Sequence, residues 1–179
     1  GSFIHKRPLN NFFLLSYVNA CLIKREYKAL RLLIGIKNIP NVYGYDNGIF
    51  MDYYDAKNLR EVHLNNEDLS KNFFNSFLAT ILEIHSRGIA HCDLKRKENI
   101  LKDSNGGCLI VDFGICIYKS NILFKPFFNL LAQADLNAYI KIKYKNKFDA
   151  ISESDLKIYH LTLAERILKK LRMVKKGWL

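Results

Sequence analysis

The sequence predicts an α+β protein with a small sheet near its N-terminal end and a mostly helical remainder. Apolar residues at three- and four-residue spacing predict long helices, whereas short alternating segments bounded by Asn, Asp and Gly predict strands and turns. One helix and one hairpin come first, and further helices with two short strands follow. A chain of 179 residues fits one domain or one unequal pair of lobes.

The first third of the chain predicts a strand, a helix and a hairpin. Residues 2–6 alternate as a short strand does, and residues 11–36 carry apolar residues at helical spacing. Residues 41–54 predict a hairpin because Asp46-Asn-Gly48 supplies turn residues between two β-branched and aromatic runs. The apolar run at 12–18 is predicted to be buried core, with a segment resting on a membrane surface as the alternative.

The next helix is predicted over residues 67–87. Asn65 or Asn66 would cap its start, and Gly88 would end it. Its predicted buried stripe consists of Leu69, Phe73, Phe74, Phe77, Leu78, Ile81 and Leu82.

Two short strands and two helices are predicted for the remainder. The strands cover residues 99–101 and 108–112, and the helices cover 125–143 and 152–174. The last helix opens with Ser-Glu-Ser-Asp at 152–155, a capping-box pattern. Its predicted buried residues are Leu156, Tyr159, Leu163, Ile167 and Leu171.

Composition excludes several classes of protein. With 49% hydrophobic and 25% charged residues, the chain is neither disordered nor a repeat of the collagen type. The four cysteines form no C-x-x-C pair, which argues against a zinc site or a disulfide framework and favours a reducing, cytosolic compartment. No apolar run reaches the roughly 18 residues that a membrane span needs. Gly1-Ser2 looks like the remnant of a cleaved expression tag, so we expect a different natural N-terminus.

The charge is strongly positive and unevenly distributed. Lys and Arg number 28 against 17 Asp and Glu, and +7 of the net +11 lies in residues 141–179. Such an excess favours an anionic partner: nucleic acid, a phosphorylated ligand or an acidic membrane surface. Nucleic acid is the least favoured, because no pattern positions the few aromatic residues of this segment for it.

The most informative residues are His91-Cys-Asp-Leu-Lys-Arg-Lys-Glu-Asn99 and Leu109-Ile-Val-Asp-Phe-Gly114. Together they resemble the catalytic loop and the magnesium-binding Asp-Phe-Gly of protein kinases. The resemblance implies ATP and Mg²⁺ as cofactors, with Asp112 and Asn99 as metal ligands. It also implies that Asp93 orients the acceptor hydroxyl and accepts its proton, and that Lys95 offsets charge on the transferring phosphoryl group.

One spacing departs from the kinase pattern. Asn99 lies six residues after Asp93, whereas most kinases have this Asn five residues after the loop Asp. An extra residue that bulges from the loop would keep Asn99 at the metal, and this is the favoured interpretation. Otherwise Glu98 would become the substitute ligand.

Upstream residues extend the resemblance to the nucleotide site. Glu26 looks like the helix Glu that pairs with the phosphate-holding Lys, although it is also compatible with an ordinary i, i+4 helix charge beside Arg25 and Lys28. That Lys is predicted to be Lys6, at the polar end of the first strand, because Lys24 shares a helix with Glu26 and cannot reach it.

The predicted hairpin resembles the strand and hinge that hold adenine. By this resemblance Met51 is the gatekeeper, and the backbone C=O of Asp52 and N–H of Tyr54 bind the base. No Gly-x-Gly-x-x-Gly precedes the predicted phosphate-holding Lys, and no Ala-Pro-Glu follows Asp112.

The compact arrangement is similar to that of small bacterial kinase-like proteins, the lipopolysaccharide core (Kdo/heptose) kinases and the RIO-type kinases. Arg25-Glu-Tyr-Lys-Ala-Leu30 and Leu33-Ile-Gly-Ile-Lys-Asn-Ile-Pro40 match the first group. The resemblance implies a minimal bilobal kinase-like fold, with a reduced N-lobe at 1–55 and a helical C-lobe at 56–179. Asp135 is expected either to brace the catalytic loop through backbone N–H groups or to be a carboxylate at a helix N-terminus.

The resemblance implies an ATP- and Mg²⁺-dependent phosphotransferase. Its acceptor would be a protein Ser/Thr or a sugar hydroxyl of lipopolysaccharide, and its location the cytoplasm, with the inner face of the membrane included. The alternative is a pseudokinase scaffold that binds a partner without catalysis, because the Gly-rich loop is missing and Asn99 is shifted.

Overall fold

The computed structural model describes residues 2–8 and 13–161, with side chains described for 2–8 and 16–161. Within these ranges the chain forms small antiparallel sheets and five α-helices. The strands are β1 (Phe3–Lys6), β2 (Val42–Tyr45), β3 (Ile49–Asp52), β4 (Lys57–Asn58), β5 (Ile89–Ala90), β6 (Ile100–Lys102), β7 (Cys108–Ile110) and β8 (Ile117–Tyr118). The helices are α1 (Phe13–Leu32), α2 (Leu59–Leu64), α3 (Lys71–Ser86), α4 (Phe128–Lys143) and α5 (Glu153–Leu156).

The first sheet has β3 at its centre, with β1 and β2 antiparallel on either side. The predicted strand and hairpin are therefore confirmed. The turn of the hairpin also has to pass close to β1: a Cβ at Gly48 would lie 2.5 Å from the carbonyl oxygen of Lys6. Any larger residue at this position would push away the end of β1 that carries Lys6.

Helix α1 packs one face against this sheet. Ala29 and Leu30, with Leu33 directly after the helix, are fully buried, whereas Tyr17 is 67% and Val18 46% exposed. The prediction that the apolar run at 12–18 is core is therefore wrong for Tyr17 and Val18. Phe12 and the side chains of 13–15 lie outside the described residues.

Helix α3 begins later than predicted. Ser70, not Asn65 or Asn66, caps it, and the Ser70 hydroxyl accepts a 3.1 Å bond from the N–H of Phe73. The two Asn residues instead follow α2, a short helix that the sequence analysis did not predict and that Asn58 caps. One helix thus ends at Leu64, before the predicted segment 67–87, and α3 begins only at Lys71 within it.

The buried stripe of α3 follows the helical period closely. Phe73, Phe77, Ile81 and Ile84 are almost completely buried. Leu82 was predicted to be buried and is 51% exposed, because it lies about 100° around the helix from Ile81. Contacts between the rings of Phe77 and Tyr139, 5.6 Å apart, join α3 to α4.

Helix α5 is much shorter than the predicted helix over 152–174. Ser152 caps it as expected, accepting a 3.3 Å bond from the N–H of Asp155. Residues 157–161 are not helical, and Leu156 is 51% exposed against the prediction. Tyr159 packs against the core as predicted, whereas Leu163, Ile167 and Leu171 lie outside the described residues.

Side chains of α4 explain why the chain leaves the helical path after α5. The amide of Gln133 donates to the carbonyl oxygen of Ile158 at 2.9 Å, and that of Asn137 donates to the carbonyl oxygen of His160 at 2.7 Å. These bonds satisfy the backbone of 158–160 without a helix, and tertiary contacts override the local pattern.

In the described part of the chain, no helix is both long and apolar enough to cross a membrane.

Candidate active site

Three charged residues that are far apart in the sequence meet between β1, α1 and the segment after β7. The ammonium of Lys6 lies 2.7 Å from the carboxylate of Glu26 and 3.2 Å from that of Asp112. Glu26 is only 1% exposed and its ion-pair partner is Lys6 rather than Arg25 or Lys28 of its own helix, which argues against an ordinary i, i+4 helix charge. Residues separated by 20 and 106 positions thus form one charged cluster.

This cluster keeps Lys6 protonated. Burial alone would lower the pKa of Lys6, but the charges of Glu26 and Asp112 and the hydrogen bonds to them raise the pKa above its ordinary value of 10.5. A permanently positive group held between two carboxylates at the wall of a cleft suits phosphate binding.

The catalytic-loop residues Asp93 and Asn99 are in direct contact. The side-chain amide of Asn99 donates to the carboxylate and to the carbonyl oxygen of Asp93, both at 3.1 Å. The additional residue of the loop is accommodated by a 3₁₀ turn at Lys97–Asn99, which follows a bond from the N–H of Arg96 to the carbonyl oxygen of Asp93. Asn99 therefore stays buried beside Asp93 despite the longer spacing.

Glu98 points to a different partner. Its carboxylate lies 3.0 Å from the guanidinium of Arg60 on α2. The geometry thus favours the bulged loop over Glu98 as a substitute ligand.

Asp135 holds the catalytic loop from beneath. Its carboxylate accepts bonds from the N–H groups of His91 at 2.8 Å and Cys92 at 2.9 Å, and it lies 3.1 Å from the ring of His85. The residue lies in the middle of α4, not at its N-terminus. Of the two expectations for Asp135, the brace is therefore confirmed and the N-terminal carboxylate is wrong.

The ring of His91 links the loop to the strand that precedes Asp112. One ring nitrogen lies 3.0 Å from the carbonyl oxygen of Val111, and the other accepts from the N–H of Asp93 at 3.3 Å. A carbonyl partner on one side and an N–H partner on the other require the neutral tautomer with its proton on Nε2. Burial lowers the pKa of His91, in agreement with a neutral ring.

Two site residues have left-handed backbone conformations that non-glycine residues rarely adopt. Cys92 has φ +70° and Asp112 has φ +66°. Such conformations persist only where surrounding contacts hold them, and they concentrate at functional sites. At Cys92 the bond to Asp135 supplies this hold.

A cavity of about 260 Å³ joins these groups. Its lining includes Lys6, Glu26, Asp93, Arg96 and Asp112. The structure therefore brings together four of the predicted site residues and adds Arg96, which the sequence analysis did not select.

The structure does not place Lys95 in this cavity. Lys95 is exposed and lines a different cavity, whereas the guanidinium of Arg96 lies 3.8 Å from the Asp93 carboxylate. The reason is the turn that follows Asp93, which brings the residue three positions later onto the side of Asp93 and turns the residue two positions later away. The sequence signal that could have identified Arg96 is its position, directly after the Lys95 that the resemblance selected.

The predicted adenine-binding residues lie at the end of β3. Met51 is buried, and the carboxylate of Asp52 accepts bonds from Asn41, Tyr43 and Tyr54. Burial and the negative charge of Asp52 raise the pKa of Tyr54 to about 12. Met51, Asp52 and Tyr54 do not line the cavity that contains Lys6 and Asp93.

The donor set fits a magnesium ion by its chemistry. Asp112 provides carboxylate oxygens, and the amide of Asn99, whose nitrogen is used by Asp93, provides a carbonyl oxygen. Hard oxygen donors from one or two side chains, completed by phosphate and water, are the usual environment of protein-bound Mg²⁺.

Comparisons with known proteins agree with this geometry. A family model described as protein kinase domain matches residues 24–123. Serine/threonine-protein kinase D of Synechocystis is 35% identical over 81 residues, which are 42% of this chain and 16% of the relative. CBL-interacting protein kinase 9 of rice (Oryza sativa subsp. japonica) is 31% identical over 104 residues, 54% of this chain and 23% of the relative.

A solved structure shares the fold. The crystal structure of WbdD superposes with a TM-score of 0.50 and 17% identity, over 74% of this chain and 32% of that one. The chain spans less than a third of the length of each of these three proteins.

The fold and the charged cluster define a kinase-like protein. Since the family model covers more than half of its residues, the chain belongs to the protein kinase domain family. The predicted α+β kinase-like fold with a reduced sheet is thereby confirmed.

Proposed function

We propose that the protein is an ATP- and Mg²⁺-dependent phosphotransferase with its active site in the cavity between Lys6, Asp93 and Asp112. The observation that carries the proposal is the convergence of Lys6, Glu26 and Asp112 within 2.7 and 3.2 Å in the same cavity as the loop carboxylate. A purely structural role does not explain why Lys6 and the partly exposed carboxylate of Asp112 are held at the wall of a cleft.

Each residue of the cluster has a part in this reaction. Lys6, oriented by Glu26, binds the nucleotide phosphates, while Asp112 and Asn99 hold Mg²⁺. When bound, Mg²⁺ neutralises phosphate charge. Met51, with the backbone of Asp52 and Tyr54, contacts the adenine, a role that the resemblance implies.

Asp93 serves as the acceptor of the proton. The acceptor oxygen bonds to the γ-phosphorus, the bond from that phosphorus to the β–γ bridging oxygen breaks, and ADP leaves with the electron pair. The proton of the acceptor hydroxyl passes to the Asp93 carboxylate, which Asn99 holds in place at 3.1 Å.

Arg96 takes the charge-neutralising part that the sequence assigned to Lys95. Its guanidinium lies beside Asp93 in the cavity, and a cation at this place offsets charge on the transferring phosphoryl group. We expect Arg96→Ala to lower kcat by about 10- to 100-fold, and Lys95→Ala to leave kcat within about threefold of wild type.

The acceptor is a hydroxyl group. The relatives named serine/threonine-protein kinases favour a protein Ser or Thr. The match of residues 25–40 to the lipopolysaccharide core kinases favours a sugar hydroxyl, and it also motivates assignment to the minimal bacterial kinase-like group.

We assign residues 1–55 to the N-lobe and 56–179 to the C-lobe, and we place the protein in the cytoplasm with access to the inner membrane face.

The test is transfer of labelled γ-phosphate from ATP with Mg²⁺ to the chain itself, to a protein mixture and to lipopolysaccharide. We expect transfer that Asp93→Asn lowers at least about 100-fold. Asp149→Asn, which makes the same change at an exposed carboxylate, is the matched control and should retain activity.

A thermal shift with ATP and Mg²⁺ separates the alternatives. An enzyme shows both transfer and a shift that Asp112→Ala removes, since a bound ligand raises the apparent stability of the folded state. A shift without transfer to any acceptor identifies a nucleotide-binding pseudokinase. If the protein shows no thermal shift and no transfer, the proposal is contradicted.

A further inference from the structure

A second, larger cavity lies on the other side of the catalytic loop. It has a volume of about 800 Å³ and is enclosed by α2, the segment 66–69, the loop residues Lys95 and Lys97, and the C-terminal end of α4. Nothing in the proposed nucleotide site uses it. The cavity adjoins the loop that carries Asp93, because Lys95 and Lys97 of that loop line it.

The charge of this cavity is predominantly positive. Five lysines line it, namely Lys95, Lys97, Lys141, Lys143 and Lys145. Two acidic residues, Glu67 and Asp68, also line it, so the lysines are in clear excess.

The charge of Glu67 is already compensated by lysines outside this lining. Its carboxylate lies 2.6 Å from Lys57 and 3.0 Å from Lys102. Hydrogen bonds from these two ammonium groups lower the pKa of Glu67 to about 2. Glu67 is therefore not available to neutralise the lysines of the cavity.

Three of the cavity lysines have no acidic partner in the described ranges 2–8 and 13–161. These are Lys95, Lys97 and Lys145, whereas Lys143 is paired with Asp155 at 2.6 Å. Lys95 and Lys97 are on the catalytic-loop wall, and Lys145 is in the turn that follows α4. Cations on two walls suit a ligand with more than one separated negative group.

Apolar side chains make up much of the remaining lining, beside the polar residues His63, Asn66 and Asn146. Leu59 and Val62 of α2, Phe74 of α3 and Ala138 and Ile142 of α4 contribute to it. Charged walls around an apolar lining favour an extended segment that buries its stems and presents carboxylates to the lysines.

Two lysines of this cavity belong to the loop that carries Asp93. Lys95 and Lys97 follow Asp93 by two and four residues. An extended ligand covers about 3.3 Å per residue, so carboxylates a few residues from a hydroxyl could reach the lysines while the hydroxyl is at Asp93.

We propose that this lysine cavity binds an acidic polypeptide segment of the acceptor, which makes the protein selective for Ser or Thr flanked by acidic residues. The proposal rests on the phosphotransferase function proposed above. It assigns the cavity a substrate class that the net charge of +11 alone does not define.

The test uses the full chain and three Ser-containing peptides of equal length, flanked by Glu, by Gln or by Lys. We expect kcat/KM to be at least about tenfold higher for the Glu peptide than for the Gln peptide, and lowest for the Lys peptide. The advantage should decrease with rising salt, because exposed charge pairs are screened.

Variants assign the selectivity to the cavity. The double variant Lys97→Ala/Lys145→Ala should raise KM for the Glu peptide by about five- to tenfold while KM for ATP stays unchanged. The matched control Lys37→Ala removes an exposed lysine in the turn before β2 and should leave the preference intact. Fluorescence anisotropy of the labelled Glu peptide measures binding independently of transfer.

Each outcome has a definite meaning. Equal use of the Glu and Gln peptides, or an unchanged preference in the double variant, overturns the proposal. Absence of Glu-peptide binding together with transfer to lipopolysaccharide also overturns it and assigns the reaction to the glycolipid. Glu-peptide binding that the double variant loses, without transfer and without an ATP-dependent thermal shift, supports the cavity and contradicts the phosphotransferase function instead.

Discussion

Removal of the Asp135 carboxylate should both loosen the catalytic loop and lower the free energy of unfolding. In Asp135→Ala the N–H groups of His91 and Cys92 lose acceptors at 2.8 and 2.9 Å, and the ring of His85 loses a contact at 3.1 Å. A buried donor without a partner costs about 1–3 kcal/mol, and bonds to a charged acceptor are at the upper end. We therefore expect a loss of about 3–5 kcal/mol in the free energy of unfolding.

Asp135→Asn provides an intermediate case. The amide retains one oxygen, which can accept from one of the two N–H groups, so we expect about half of the loss seen in Asp135→Ala. Because Cys92 has φ +70°, its left-handed conformation should also relax when the bond is lost, and kcat should fall with stability.

Urea unfolding followed by circular dichroism measures the free energy, and phosphate transfer measures kcat. Asp149→Ala, an exposed carboxylate on the same chain, is the control and should change stability by less than about 0.5 kcal/mol. If Asp135→Ala lowers the free energy of unfolding by less than about 1 kcal/mol, the brace does not hold the loop as argued.

Three further predictions concern residues around the same cluster. Gly48→Ala should weaken ATP binding, measured by thermal shift, because the new Cβ would lie 2.5 Å from the Lys6 carbonyl oxygen and displace the strand; full ATP affinity would contradict this. Lys6→Met should cost about 3 kcal/mol in urea unfolding because it leaves Glu26 buried and unpaired, and Glu26→Gln in the same chain should restore most of it; independent, additive losses would argue against the pair. The stabilising contribution of neutral His91 should be present in full above its ordinary pKa of 6.5 and be lost as the pH falls toward its lowered pKa. Between pH 7.5 and 5.5 the wild type should therefore lose more stability than His91→Gln, by up to about 1.4 kcal/mol per pH unit below 6.5, and parallel pH curves would refute it.

Local signals were enough where a residue's environment is created by its neighbours in the chain. The Asp-Asn-Gly turn, the hairpin and the stripe from Phe73 to Ile81 follow from backbone preferences and from the helical period. The same holds for the Ser152 cap, since a cap needs only the next turn of helix. The length of the last helix could not be obtained in this way, because bonds from Gln133 and Asn137 hold residues 158–160 outside a helix.

The sequence also indicated where a side chain belongs when a motif fixes its neighbours. The kinase resemblance, which implies a Lys on the strand before the helix, selected Lys6 as the partner of Glu26, and the structure brings the two within 2.7 Å. It could not decide between two roles for Asp135, since the N-terminus of α4 is set by the preceding 3₁₀ turn and not by a residue close to Asp135.

By itself the sequence determined the class of fold, the family resemblance and the order of the charged residues along the chain. Only the tertiary structure decided which cation faces Asp93, because the direction of Lys95 and Arg96 depends on how the longer loop turns between β5 and β6. The lysine cavity could not be predicted from the sequence, in which Lys97 and Lys145 lie far apart. Their charges add to one site only when α4 packs against α3 and brings its C-terminal end to the catalytic loop.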